Sequence, residues 1–213
     1  MKQSLVLLAC LGIITFWGYQ DIPVQAKEAI KVAQDKSEQQ MYLSADVPVE
    51  VAINSMNMEL ELVNTIQDKK EWYIAYKSVI EKYKGIIDPP ETIYDYYSYD
   101  EINLMLRCIE TETYQSDFLS KVNVANVILN RLECEEFSTS VYDVITGENQ
   151  FAYGREIISE DTVLALEYAF EIEDTTQGSI GFHSNSPCST FNGWEYVFTD
   201  NAGHSFYRLS QNG

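Results

Sequence analysis

One glutamate interrupts the apolar pattern of a predicted helix. Ile102, Met105 and Ile109 recur at the spacing of a single helix face. Glu112 follows Ile109 by three residues and Met105 by seven, so it projects from the same face. Glu110 lies roughly 120° from the centre of that face, and we expect it to be solvated. Glu112 is therefore the carboxylate that the pattern singles out for chemistry.

The chemistry open to such a carboxylate follows from its position at the C-terminal end of the helix. Burial and the negative end of a helix both favour the protonated form of a carboxylic acid. A glycosidic oxygen needs a protonated acid, because an alkoxide is a poor leaving group. If the helix end frays into water instead, Glu112 has no such role. The functional interpretation is acid catalysis of glycosidic bond cleavage.

Three predicted helices must position this glutamate. Ser98 and Glu101 form a capping box that starts the first helix, which runs to about Thr113. A second helix, over about 119–132, is apolar on nearly all sides, which is typical of a buried central helix. A third helix follows Ser159.

The end of the chain changes to strand character. Short strands are predicted over Ile180–His183, Tyr196–Thr199 and His204–Leu209. Asp200–Gly203 separates the last two strands as a four-residue turn, which indicates a hairpin. Helices followed by a small antiparallel sheet predict an α+β domain.

Five sequence blocks resemble the spore-cortex-lytic and cell-wall hydrolase family, and they occur in that family's order. The blocks are LRCIETE (Leu106–Glu112), VNVANVILNR (Val122–Arg131), VYDVITGENQF (Val141–Phe151), GSIGFH (Gly178–His183) and GHSFY (Gly203–Tyr207). Each block is weak alone, but five in the right order are specific.

The resemblance covers about residues 98–209 and implies a fold and an activity. The family's fold is a small lysozyme-like α+β domain, and its members cleave the bond between N-acetylmuramic acid and N-acetylglucosamine in peptidoglycan, with lytic transglycosylase chemistry. Glu112 matches the family's catalytic glutamate. The resemblance implies a substrate-binding groove lined by other motif positions, namely Gln150, Phe151, Phe182, His204 and Tyr207.

One departure from the family pattern lies directly beside Glu112. Relatives often have Glu-Ala-Arg-Gly-Glu at the end of the active helix, whereas this chain has Glu-Thr-Tyr-Gln-Ser over 112–116. The missing Arg and Gly leave the shape of this loop, and the substrate preference, open.

The number of catalytic carboxylates separates the possible reactions. A hydrolase of the muramidase type needs a second carboxylate, for which Asp117 and Glu148 are the next candidates. A lytic transglycosylase needs only Glu112, because the 6-hydroxyl of muramic acid can attack its own anomeric carbon.

Two further alternatives belong to other classes of protein. A zinc amidase would need His183 and His204 as ligands, but no HExxH motif occurs, and we predict no metal and no cofactor. A non-catalytic wall-binding protein would have no use for a carboxylate on an apolar face.

The N-terminal half divides into an export signal and a linking segment. An apolar run over 5–19 ends before Val24-Gln25-Ala26, so residues 1–26 are predicted to be a signal peptide, with an uncleaved anchor as the alternative. We therefore expect an exported protein at the cell wall or outside the cell. Residues 27–90 form a linker and an N-terminal segment, and residues 91–213 form the catalytic domain.

Within the N-terminal segment, the alternating apolar residues of 47–62 resemble a hairpin, with a helix as the alternative. A helix over 70–84 ends at Gly85. The net charge of −19 argues against a nucleic-acid partner, since phosphate binding needs a basic surface.

Overall fold

The computed structural model describes residues 48–148, 150–184 and 193–210. These residues form seven helices and three strands: α1 (Val49–Val63), α2 (Lys69–Tyr83), α3 (Ile93–Tyr96), α4 (Tyr99–Glu112), α5 (Phe118–Glu133), α6 (Val141–Thr146), α7 (Glu160–Glu171), β1 (Gly181–Ser184), β2 (Trp194–Thr199) and β3 (His204–Leu209). The chain divides into two compact units, Met1–Pro89 and Pro90–Gly213. The predicted signal peptide over 1–26 lies outside the described residues, and no described helix is both long and apolar enough to cross a membrane.

The first unit contains α1 packed against α2. The hairpin suggested for 47–62 is wrong, because this stretch is helical in α1. Its apolar residues also fit helical spacing: Ala52 and Val63 are buried, and Met56 and Leu60 pack against the same cluster. The helix predicted over 70–84 is confirmed as α2, and Gly85 follows it with a φ of 92°.

The second unit begins its main helix at the predicted capping box. The Ser98 side chain accepts a hydrogen bond from the Glu101 N–H, and the Glu101 carboxylate accepts one from the Ser98 N–H. These two bonds satisfy backbone donors that the first turn of α4 leaves unpaired. The predicted central helix is confirmed as α5, which is buried along most of its length and contacts α4, α6 and α7. The helix predicted after Ser159 is α7.

Three asparagines on α5 hold the connection between α7 and the sheet. Thr175 donates its hydroxyl to Asn123 Oδ1 at 2.6 Å. Asn126 Nδ2 donates to Thr175 Oγ1 at 3.0 Å, and Asn130 Nδ2 donates to the Ser179 carbonyl at 3.0 Å. Because these asparagines recur every three or four residues, one side of a largely apolar helix becomes a row of hydrogen-bonding groups. This row sets where β1 begins.

The three predicted strands are confirmed and form an antiparallel sheet in the order β1-β3-β2. Gly181 of β1 pairs with Tyr207, and Trp194 of β2 pairs with Leu209. The β2–β3 register shifts between Tyr196 and Phe198. The second unit is therefore an α+β domain, with a helical core and a small sheet at its C-terminal end.

Candidate active site

Glu112 is the last residue of α4 and is half-buried. Its Oε1 accepts a hydrogen bond of 2.6 Å from the N–H of Ala152, which lies in the segment between α6 and α7. This is the only side-chain hydrogen bond that Glu112 makes within the described residues. One carboxylate oxygen is thus fixed by the backbone.

The segment that supplies the Ala152 N–H is tied to the same helix at two further positions. The Arg155 N–H donates to Thr111 Oγ1 at 3.0 Å, and the Arg155 carbonyl accepts from Arg107 Nε at 3.1 Å. Because Arg107, Thr111 and Glu112 all belong to α4, the helix end and the segment are held as one piece. The hydrogen bond to Glu112 is part of this larger attachment.

Glu110 attaches α4 to Ser159, at the end of the same segment. Its environment differs from the one expected from the sequence. It was expected to be solvated, but it is only 5% exposed. Its Oε2 lies 3.4 Å from Lys121 Nζ and accepts hydrogen bonds from the Ser159 N–H (3.1 Å), the Ser159 hydroxyl (2.7 Å) and the Thr162 hydroxyl. The expectation failed because α4 packs against α5, α6 and α7, so more than one of its faces is buried.

The ionisation of Glu110 is governed by these contacts. Burial alone would raise the pKa of this carboxyl, but hydrogen bonds from Thr162 and Ser159, together with the Lys121 charge, lower it to about 2. Glu110 is therefore a buried carboxylate, ionised at neutral pH and fully engaged in structure.

Arg131 connects the central helix to two of the predicted site residues. Its Nη1 donates to Gln150 Oε1 at 2.6 Å, and its Nε donates to the Ile180 carbonyl at 2.5 Å. Its guanidinium carbon lies 4.3 Å from the centre of the Phe151 ring, a cation–π contact. Burial lowers the pKa of Arg131 to about 10, while the charge of Glu112 favours its protonated form. Arg131 thus stays cationic at neutral pH and attracts the Glu112 carboxylate.

Phe182 joins the sheet to this group. The Phe182 ring lies 6.1 Å from Phe151 and 5.2 Å from His204, measured between ring centres. His204 is 5% exposed and supports the Phe182 ring from within the domain. Tyr207 is also buried, but its ring lies 5.9 Å from that of Tyr196, on the other face of the sheet. Direct contact of these five positions with substrate stays a prediction. The structure brings Gln150, Phe151, Phe182 and His204 together, whereas Tyr207 lies on the opposite face of the sheet.

The two histidines do not share a site. His183 of β1 pairs with Ser205, whereas His204 of β3 pairs with Ser184. Because side chains alternate between the faces of a sheet, His183 and His204 point to opposite faces. They cannot bind one zinc ion in this arrangement, which argues against an amidase of that type.

The two candidates for a second carboxylate occupy different surroundings. Asp117 is the N-cap of α5, where its Oδ1 accepts the Ser120 N–H at 2.8 Å. Such a cap stabilises a helix by about 1 kcal/mol, which accounts for this residue structurally. Glu148 is exposed in the turn after α6.

The unusual loop after Glu112 adopts the conformation that a glycine would favour. Thr113–Ser116 is a turn closed by a hydrogen bond of 2.9 Å from the Ser116 N–H to the Thr113 carbonyl. Gln115, at the position where relatives often have Gly, has a φ of 63°. Tyr114, where relatives often have Arg, is covered by the guanidinium of Arg155, whose central carbon lies 3.1 Å from the ring centre.

Sequence reasoning missed Ala152, Arg131 and Glu110 as parts of the site. Ala152 acts through its backbone N–H, which no residue-type pattern can identify. Arg131 did carry a signal, because a cation at the end of an otherwise apolar helix requires partners when it is buried.

A match to a family model agrees with the family resemblance. Residues 115–207, slightly under half of the chain, match the family model described as Cell Wall Hydrolase. The catalytic domain of the Bacillus cereus SleB protein is similar in structure, at 23% identity and a TM-score of 0.47, over 52% of this chain and 91% of that chain. The catalytic domain of the germination-specific lytic transglycosylase SleB from Bacillus anthracis is similar at 22% identity and a TM-score of 0.47, over 53% of this chain and 97% of that chain. No curated protein matches the chain at a significant level.

Proposed function

We propose that the second unit, Pro90–Gly213, whose residues 115–207 match the Cell Wall Hydrolase family model, cleaves the glycan strands of peptidoglycan between N-acetylmuramic acid and N-acetylglucosamine. The observation that carries the proposal is the carboxylate of Glu112. Its Oε1 is fixed by the Ala152 N–H, and its side chain is half-buried at a helix end. A positioned carboxyl group is the requirement for a general acid acting on a glycosidic bond.

The proposed reaction uses this one residue twice. Glu112 carries a proton on Oε2 and transfers it to the glycosidic oxygen as the bond from muramic acid C1 to that oxygen breaks. The resulting carboxylate then takes the proton of the muramic acid 6-hydroxyl as its oxygen attacks C1. A 1,6-anhydro ring forms, and Glu112 regains its proton. Holding the hydroxyl within the substrate gives it a high effective concentration, which replaces a bound water and its base.

The surroundings of Glu112 support a mechanism with one carboxylate. Glu110 is ion-paired with Lys121 and is buried, and Asp117 caps a helix. Neither is available as a nucleophile or base, and Glu148, the other candidate, is exposed in the turn after α6. The Arg131 charge attracts the Glu112 carboxylate that exists between the two proton transfers.

The substrate lies outside the cytoplasmic membrane, so the proposal includes export of the chain. The apolar run over 5–19 and the small residue Ala26 support this part of the proposal.

The test is Glu112→Gln, assayed by dye release from purified peptidoglycan. The amide keeps a carbonyl oxygen for the Ala152 N–H, so the fold should be retained, but it cannot act as an acid. Activity should fall by about two to four powers of ten. Glu136→Gln is the matched control, because Glu136 is an exposed carboxylate in the loop after α5. Full activity in a folded Glu112→Gln variant would refute the assignment.

Mass analysis of the digest tests the reaction type. We expect fragments that end in 1,6-anhydromuramic acid, each one water lighter than the hydrolysed fragment. Reducing muramic acid ends throughout would instead mean a muramidase, and Glu148→Gln would then be the next variant to assay.

A further inference from the structure

Cations are scarce in the second unit, and most of them have acceptor partners. Residues 90–213 contain five Lys and Arg residues: Arg107, Lys121, Arg131, Arg155 and Arg208. Lys121 is paired with Glu110, and Arg208 is paired with Glu195. Arg131 is buried against Gln150. Arg107 donates to the carbonyl of Arg155. The guanidinium of Arg155, in contrast, has neither a hydrogen-bond acceptor nor a carboxylate partner among the described residues, although the chain carries a net charge of −19.

The side chain of Arg155 is held on an aromatic face instead. Its guanidinium lies over the ring of Tyr114, with the central carbon 3.1 Å from the ring centre. Tyr114 is 51% exposed, so the pair is at the surface. A guanidinium that lies over an aromatic ring can still bind a carboxylate with two hydrogen bonds from its N–H groups.

The backbone fixes this pair beside the candidate active site. Tyr114 follows Glu112 by two residues, and Arg155 follows Ala152, the partner of Glu112, by three. The Arg155 N–H and carbonyl are both bound to α4, through Thr111 and Arg107. The guanidinium is therefore presented from an anchored backbone.

We propose that Arg155, stacked on Tyr114, is a subsite that binds a carboxylate of the wall strand next to the bond that Glu112 cleaves. This inference rests on the proposed function and adds a substrate preference to it. A strongly acidic protein repels an anionic substrate overall, so binding requires a local cation. In peptidoglycan such a carboxylate comes either from the lactyl group of a muramic acid without a peptide or from the stem peptide.

The test compares soluble glycan fragments with their own carboxyl-amidated forms. Two sets are used: fragments that retain stem peptides, and fragments whose peptides have been removed so that the lactyl carboxylates are free. Wild-type protein should cleave the carboxylate form with a kcat/KM about 10- to 100-fold higher than the amidated form in at least one set, as expected for a hydrogen bond to a charged group. The set that shows the preference identifies the source of the carboxylate.

Variants then assign the preference to Arg155. Arg155→Gln should remove the preference while leaving cleavage of the amidated fragments close to wild type, because the contacts of residue 155 with α4 are made by backbone atoms. Arg155→Lys keeps the positive charge but lacks the planar guanidinium that makes two parallel hydrogen bonds, so it should retain only part of the preference. Lys84→Gln is the control, since it removes one positive charge from an exposed residue of the first unit.

The outcomes separate this inference from the proposed function. Equal cleavage of carboxylate and amidated fragments by wild-type protein, or an unchanged preference in Arg155→Gln, would overturn the subsite and leave the proposed function standing. A wild-type chain that cleaves neither set would overturn both.

Discussion

Glu110→Gln offers the sharpest test of how the active helix is built. The helical angle alone placed Glu110 on a solvated face, and that reading makes the substitution nearly silent. The structure makes it a buried carboxylate with an ion pair to Lys121 and hydrogen bonds from Ser159 and Thr162. The two readings therefore predict different results for the same variant.

The size of the effect follows from the pKa of Glu110. A carboxyl with a pKa of about 2 in the folded chain and an ordinary value of 4.5 in the unfolded chain adds about 3 kcal/mol to the free energy of unfolding at neutral pH. Removing one partner of a buried ion pair generally lowers the free energy of unfolding by about 3–5 kcal/mol, because the other charge is left buried without a counter-ion. In Glu110→Gln that charge is Lys121. We therefore expect Glu110→Gln to lower the free energy of unfolding by about 3 kcal/mol.

The sign of the pH dependence is fixed by the same values. Because the folded pKa is lower than the unfolded one, the contribution of Glu110 is fully present above about pH 4.5 and is lost as the pH falls towards 2. The difference in stability between wild type and variant should shrink over that range.

Urea denaturation followed by circular dichroism, from pH 7 down to pH 3, measures both effects. The exposed Glu136→Gln variant is the control and should stay within about 0.5 kcal/mol of wild type. A second variant, Glu110→Gln with Lys121→Met, should recover part of the loss, since no buried charge is then left unpaired. A single Glu110→Gln variant as stable as Glu136→Gln at pH 7 would refute the buried network.

Two further predictions concern the loop after Glu112 and the N-terminus. Gln115→Gly should raise stability by about 0.5–1 kcal/mol in thermal unfolding, because φ is 63° there, whereas Ser116→Gly should lower it; a less stable Gln115→Gly variant would contradict the turn. Exported protein should begin near Lys27 when its N-terminus is sequenced, and an intact Met1 terminus would rule out cleavage after Ala26.

The regular elements of the second unit were predictable because they rest on local rules. The capping box at Ser98 needs only two residues in one turn, and the buried character of α5 is visible in its composition. The hairpin of β2 and β3 is connected by a short polar turn over 200–203. In each case the sequence signal and the structural cause lie within a few residues of each other.

The segment that completes the site was not predictable in this way. Residues 151–159 contain no periodic pattern, and their position depends on contacts with α4 that are about 40 residues or more away in sequence. The alternating apolar residues of α1 suggested strands where the structure has a helix. Val49, Val51 and Ile53 are exposed, and the buried positions follow helical spacing. In both the 151–159 segment and α1, tertiary packing determines the structure more than the local sequence pattern does.

The way α4 holds this segment determines which of its residues are free for function. Arg107 and Thr111 bind the carbonyl and the N–H of Arg155, and Glu112 binds the N–H of Ala152. These bonds require a peptide backbone but no particular side chain at 152 or 155. Ser159, which gives Glu110 its hydroxyl, contributes the side-chain hydrogen bond to α4 among these contacts. The guanidinium of Arg155 makes none of these hydrogen bonds, so the subsite proposed for it over Tyr114 does not compete with the placement of the segment.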